Sequence, residues 1–143
     1  MSMIRRRTVV LLLFVVPAGF ALKFYAGPGR WWVNNWGASF AYEVFFMGLA
    51  LLVIDARSRI GAIAIGVCVG TVALEFLQLW KHPWLEAVRS TFVGQAFLGN
   101  AFSWRDLPAY PLGCLLGWIL LNRLATMPIA WRPNIRESER ADL

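Results

Sequence analysis

Four apolar runs alternate with shorter polar or aromatic stretches along the chain: TVVLLLFVVPAGFAL from Thr8, SFAYEVFFMGLALLVI from Ser39, IGAIAIGVCVGTVALEFLQLW from Ile60 and LPAYPLGCLLGWILL from Leu107. A helix rises 1.5 Å per residue, so about 20 residues cross a hydrocarbon core of about 30 Å. Only the third run meets that length. The other three must draw on flanking Trp, Tyr and Phe or thin the bilayer locally. The pattern predicts an all-α membrane protein, a four-transmembrane-helix bundle with helices at about 8–24, 38–54, 60–80 and 107–124. The single transmembrane domain covers 1–126, and a polar tail occupies 127–143. RRR before the first run resembles the start of a signal peptide, but no small-residue cleavage site follows, and Lys23-Phe24-Tyr25 suits an interfacial anchor. The first helix is therefore expected to be retained.

Composition agrees with the pattern. At 143 residues, 59% hydrophobic and a mean hydropathy of +0.57, the chain is too apolar for a small soluble fold. Its net charge of +6 comes from short basic blocks between apolar runs, which fits membrane topology better than a nucleic-acid face. Arg5 to Arg7, Arg57, Arg59, Arg123, Arg132, Arg136 and Arg140 make nine basic residues on one side, against five on the other: Lys23, Arg30, Lys81, Arg89 and Arg105. The positive-inside rule then places both termini and the DARSR turn in the cytoplasm. Cys68 and Cys114 lie inside apolar runs with no CxxC and no paired histidines, so they read as reduced packing residues and indicate neither a disulfide framework nor a zinc site.

The two outer connections are unusual. GPGRWWVNNWG has the composition of a segment lying at headgroup depth, and HPWLEAVRSTFVGQAFLGNAFSWRD is too apolar for a solvated loop. Interrupted by Gly94 and Gly99, the latter reads as an interfacial or re-entrant glycine-rich hairpin covered by the bundle.

Polar residues inside the apolar runs mark the candidate chemistry. Thr71, Glu75, Gln78 and His82 fall at steps of four, three and four and form one stripe on a helix. Counting from the outer ends puts Glu43 and Glu75 at about the same depth, one to two turns in. Tyr110 and Asp106 lie near the outer end of the last helix, and Arg89 and Arg105 sit above them. A carboxylate in a membrane is costly and should be paired, protonated or functional. Two readings stand: Glu75 pairs with Arg89, or with a protonated His82, and pins the hairpin; or Glu43, Glu75, Gln78, Arg89, Asp106 and Tyr110 form an outer pocket for a lipid headgroup. Gly66 with Gly70, and Gly113 with Gly117, are small-residue faces for close helix packing. SWRD at 103–106 suggests a capping box for the last helix, with Asp106 as cap or site residue, and Pro108 and Pro111 imply a late start or a kink. His82, without a second histidine, suits an interfacial hydrogen-bonder. GxSxG, HExxH and P-loop motifs do not occur, and no metal or cofactor is indicated.

The stretch LEFLQLWKHPWLEAVRSTFVGQAFLGNAFSWRDLPAYPLGCLLGW resembles the bacterial membrane-protein family catalogued as domain of unknown function 2809. The likeness rests on E-x-x-Q, PWL-x-x-x-R, a glycine-rich LG-x-x-F-x-W-x-D-L hairpin and Y-x-x-G-x-x-x-G, and FYAGPGRWWVNNWGASFAYEVFF is similar to the cyanobacterial branch. A more distant similarity is to VanZ-like proteins, through Glu75, Gln78, Arg89, Asp106, Gly113 and Gly117, with Tyr110 where that pattern usually has Asn. The resemblance implies a four-helix membrane fold in a bacterial inner or thylakoid membrane and marks the outer polar cluster. Three functions follow as expectations. The first is a non-catalytic accessory or assembly subunit of a larger membrane complex, photosynthetic in the cyanobacterial case, with a membrane-protein partner or a second copy. The second is a binder of a lipid headgroup or lipid-linked group, and the third an enzyme on a lipid-linked substrate.

Overall fold

The computed structural model describes residues 2–99 and 102–128, and every element among them is helical. The long helices are α1 (Met3–Lys23), α2 (Arg30–Ile54), α3 (Ile60–Leu77) and, last in the chain, α6 (Ala109–Thr126). Between α3 and α6 lie two short helices, α4 (Pro83–Arg89) and α5 (Phe92–Leu98). Two helices, Arg30–Ile54 and Arg57–Leu77, are long and apolar enough to cross a membrane. The polar tail expected at 127–143 lies outside the described residues from 129 onward.

Polar contacts close one end of the bundle. Ser2 Oγ donates to Asp55 Oδ1 at 2.6 Å, and Arg7 Nη1 donates to the Leu124 and Met127 carbonyls, each at 2.8 Å. These bonds tie the start of α1 to the α2–α3 turn and to the end of α6, where a helix leaves carbonyls without partners. This is the terminal end; the opposite one, carrying α4 and α5, is the hairpin end.

Helix α2 is central and packs against α1, α3 and α6, while α6 also packs against α3. Met47, Leu51, Ile60, Ile63, Cys114 and Leu121 form the buried core toward the terminal end. The α2–α6 approach depends on two glycines. A Cβ at Gly113 would stand 2.9 Å from Glu43 Cγ, and one at Gly117 would stand 2.6 Å from Met47 Sδ. Such distances are below real Cβ contacts, so a side chain at Gly113 would press on Glu43 and the Phe40 backbone, while one at Gly117 would require the Met47 thioether to move. The packing face expected at Gly66 and Gly70 is not used: both are exposed, with open space where a side chain would be. Helix α3 turns other positions, including Ile63, Thr71 and Glu75, into the bundle.

The second helix begins eight residues before the apolar pattern predicts. The tryptophan-rich stretch is helical, with a π-helical turn at Val33–Gly37. Trp32, Trp36 and Phe40 recur every four residues and contact one another ring to ring, while Asn35 Nδ2 donates to the Trp31 carbonyl at 2.6 Å and Ser39 Oγ to the Asn35 carbonyl at 2.7 Å. Aromatic spacing at i, i+4 favours a helix that a composition-based reading assigns to a loop. Helix α3 stops at Leu77 rather than at residue 80. The residue before a proline is driven out of helical geometry, and His82 is extended, with φ −116° and ψ 137°.

The expected hairpin is itself a pair of short helices. Pro83 opens α4, a position where its missing N–H costs nothing, and the Thr91 side chain caps α5 by accepting from Gly94 N at 3.0 Å. Its contacts reach two long helices. Tyr42 Oη donates to the Phe97 carbonyl at 3.1 Å, Phe46 meets Phe97 edge-on, and Phe76 packs with Phe102 and Trp104. Arg105 lies 5.7 Å above the Trp31 ring, a cation–π distance.

Candidate functional site

Glu75 is the centre of the polar region at the hairpin end. It faces inward on α3 and is 3% exposed. Oε1 accepts from the Ser103 backbone N–H at 2.6 Å, and Oε2 accepts from the Tyr110 hydroxyl at 2.6 Å and from Gln78 Nε2 at 3.3 Å. The donors come from three places: the end of α3, the segment before α6, and the first turn of α6. Hydrogen bonds to an ionised acceptor are about twice as strong as neutral ones, and three of them offset much of the cost of burying the carboxylate. Gln78 is fixed in turn by Gly99, whose φ of +67° suits glycine and whose Cβ, if present, would collide with the Gln78 amide. Among the described residues, Gln78 Oε1 has no hydrogen-bond partner.

Arg89 does not pair with Glu75. Its guanidinium is 4% exposed, donating to the Leu77 carbonyl at 2.9 Å, the Trp80 carbonyl at 3.3 Å and Glu86 Oε1 at 3.1 Å. The carbonyls at the end of α3 lack intrahelical partners and carry the negative end of the helix dipole, so they attract a cation as a carboxylate would. The effect expected of a Glu75–Arg89 pair, fastening the hairpin to α3, is thus achieved by two separate attachments. Nε of Arg89 is buried without a partner among the described residues. His82 does not extend the polar stripe, because the helix has already ended. It is exposed and lies between the edges of Trp80 and Trp84.

Glu43 is not level with Glu75. On α6 it meets Cys114, whose thiol donates to Oε2 at 3.1 Å, and on α3 it faces Thr71. Those residues stand four positions deeper than Tyr110 and Glu75, so Glu43 lies one helical turn further into the bundle. The misplacement follows from the early start of α2, which puts Glu43 near the middle of its helix rather than near the end. The polar residues form two tiers, Glu75–Gln78–Tyr110–Ser103 at the hairpin end and Glu43–Thr71–Cys114 below it.

Asp106 enters the region through its backbone. Its N–H donates to the Ser103 carbonyl at 3.1 Å, and its own carbonyl accepts from Ala109 N at 2.9 Å. The capping box expected from SWRD does not form: α6 starts at Ala109 after Pro108 without a side-chain cap, and Ser103 N is already bound to Glu75.

Three participants escape a reading of the sequence. Cys114 could have been found from its spacing of four after Tyr110, and Glu86 from its i, i+3 relation to Arg89. Ser103 contributes a backbone N–H, which no residue type announces. Among the described residues, no three His, Cys, Asp or Glu side chains gather as a metal site would require.

A family model described as Protein of unknown function (DUF2809) matches residues 29–114, more than half the chain, running from the start of α2 to Cys114 and containing both polar tiers. No solved structure matches the chain.

Proposed function

The chain belongs to the DUF2809 family, whose description assigns no activity, and we propose that it is a non-catalytic accessory or assembly subunit of a larger complex in a bacterial membrane. In this reading α1, α2, α3 and α6 all span the bilayer, the terminal end faces the cytoplasm, and the hairpin rests in the outer interface. The observation that carries it is the occupation of Glu75. A catalytic base or a ligand-binding carboxylate needs a free oxygen directed at an open space, whereas Glu75 receives three internal donors. The strongest polar chemistry of the molecule is used to fix the hairpin. Outward it presents apolar surface, including Ile65, Val69, Phe76, Trp80, Trp84 and Phe92. A protein organised in this way displays a rigid surface.

A second reading has support of its own. Among the described residues, Gln78 Oε1 and Arg89 Nε are buried without hydrogen-bond partners and lie close to the same helix end, an acceptor and a donor at the outer tier. A headgroup or lipid-linked group that satisfied both would make the region a binding site, as the VanZ-like similarity suggests. Purification of the tagged protein from its own membrane in mild detergent, followed by mass spectrometry of the proteins and lipids that accompany it, separates the two. A stoichiometric protein partner is expected. A lone protein carrying one enriched lipid species would replace the subunit reading with the headgroup reading.

A further inference from the structure

Glu43 takes no part in pinning the hairpin. Its side chain is fully enclosed, at 0% exposure, near the middle of the 25-residue helix α2. Oε2 meets the Cys114 thiol, a weak donor, and among the described residues Oε1 has no hydrogen-bond partner. An ionised carboxylate there would have only the Cys114 thiol and the Thr71 hydroxyl as possible donors in an apolar interior, a poorer position than that of Glu75 one turn away. A proton removes the charge and supplies a donor. Thr71 faces the carboxyl and sends its own hydroxyl hydrogen to the Val67 and Cys68 carbonyls, at 3.0 and 3.1 Å, which leaves its oxygen free to accept.

The surroundings offer no countercharge. From α6 the polar groups facing Glu43 are Cys114 and, a turn toward the hairpin end, Tyr110; from α3 they are Cys68, Thr71 and, a turn higher, Glu75. On α2 its neighbour is Tyr42, and α1 passes with Val15 and Ala18 beside Val44. The two directions along the bundle differ. Toward the terminal end lie Met47, Leu51, Ile60, Ile63 and Leu121, all apolar and buried. Toward the hairpin end stand polar groups instead: the Tyr110 hydroxyl bonded to Glu75, which also accepts from Ser103 N.

We propose that Glu43 is a proton-binding site of the membrane interior, loaded from the hairpin side alone through Tyr110 and Glu75. The step is the addition of one proton to the carboxylate, giving a neutral acid, and its reversal returns the proton by the same route. Loss of the proton places a negative charge where the Glu43 side chain lies against Gly113 of α6, and so loosens that contact. The α2–α6 seam is therefore tight when the hairpin side is acidic and weakened as the pH there rises. This rests on the membrane-spanning arrangement proposed above.

Infrared difference spectroscopy on the full chain in oriented lipid vesicles tests it, with the pH stepped on one side at a time. The expected result is a protonated-carboxyl C=O band that is lost when the hairpin-side pH rises, ignores the terminal-side pH and is missing from Glu43→Gln. Cys114→Ser keeps a hydrogen-bond donor and should shift the same band, which assigns it even if Glu43→Gln fails to fold. A band present at every pH on both sides would overturn the proposal, since the acid would then be a permanently neutral packing group. So would a band that follows the terminal side. Labelling of cysteines introduced at Ser58 and Lys81 in the same vesicles reports whether the two ends face opposite sides, so a failed topology is told apart from an acid that does not titrate.

Discussion

Tyr110 and Glu75 show how a single hydroxyl can hold a helical bundle to its hairpin. The Tyr110→Phe change removes one of three donors from a buried carboxylate without altering the ring that packs around it. Leaving a buried acceptor short of a partner costs about 1–3 kcal/mol, so the variant should unfold at a lower temperature in detergent while keeping its helix content. Glu75→Gln should cost more than Tyr110→Phe, because an amide offers one acceptor oxygen where the carboxylate offers two to its three donors. Thermal melts followed by circular dichroism give the order, and a Glu75→Gln protein as stable as the parent would mean that the three bonds do not hold the hairpin. The grouping of Glu75, Gln78 and Tyr110 was legible from helical spacing. The partner of Arg89 was not, because backbone carbonyls at a helix end attract a guanidinium whatever side chains they carry.

Between elements, the four glycines that look alike in the sequence divide into two pairs. Gly113 and Gly117 face Glu43 and Met47 closely; Ala at Gly113 should cost about 1–3 kcal/mol as the α2–α6 contact is forced apart, and Ala at Gly117 less, because the Met47 thioether can shift. Gly66 and Gly70 have nothing in front of them, and Ala there should stabilise the helix by about 0.5–1 kcal/mol, since glycine is a poor helix former. Four alanine variants compared by thermal unfolding would test both statements, and a loss at Gly66 or Gly70 equal to that at Gly113 would show that α3 is covered in the assembled state. A small-xxx-small pattern fixes that a face is smooth, not which of its neighbours uses it. The start of α2 was missed for a related reason: tryptophan and asparagine were weighed by composition, whereas their i, i+4 spacing builds the helix and moves Glu43 to its middle.

At the scale of the molecule, charge and aromatic side chains separate along the bundle axis. Arg5, Arg6, Arg7, Arg57, Arg59 and Arg123 gather at the terminal end, and Trp31, Trp32, Trp36, Trp80, Trp84 and Trp104 at the hairpin end. The sequence count of nine basic residues against five understates this asymmetry. Of the five at the hairpin end, Arg89 is buried against carbonyls and Glu86, and Arg105 lies over Trp31. Positive charge that is bound internally contributes less to retention on the cytoplasmic side than exposed charge near helix ends, so the effective bias exceeds the count. On the proposed topology, a reporter fused after Thr126 or inserted at Ser58 should be active in the cytoplasm, and one inserted at Lys81 should be active only on the outer side. Neutralising Arg5, Arg6 and Arg7 together should bring part of the population into the inverted orientation, because no other terminal-end block has three adjacent charges. Neutralising Arg89 should leave orientation unchanged while lowering stability, since its charge already serves the end of α3. An orientation that responded to Arg89 as strongly as to the N-terminal block would mean that the hairpin folds onto α3 only after the topology has been decided.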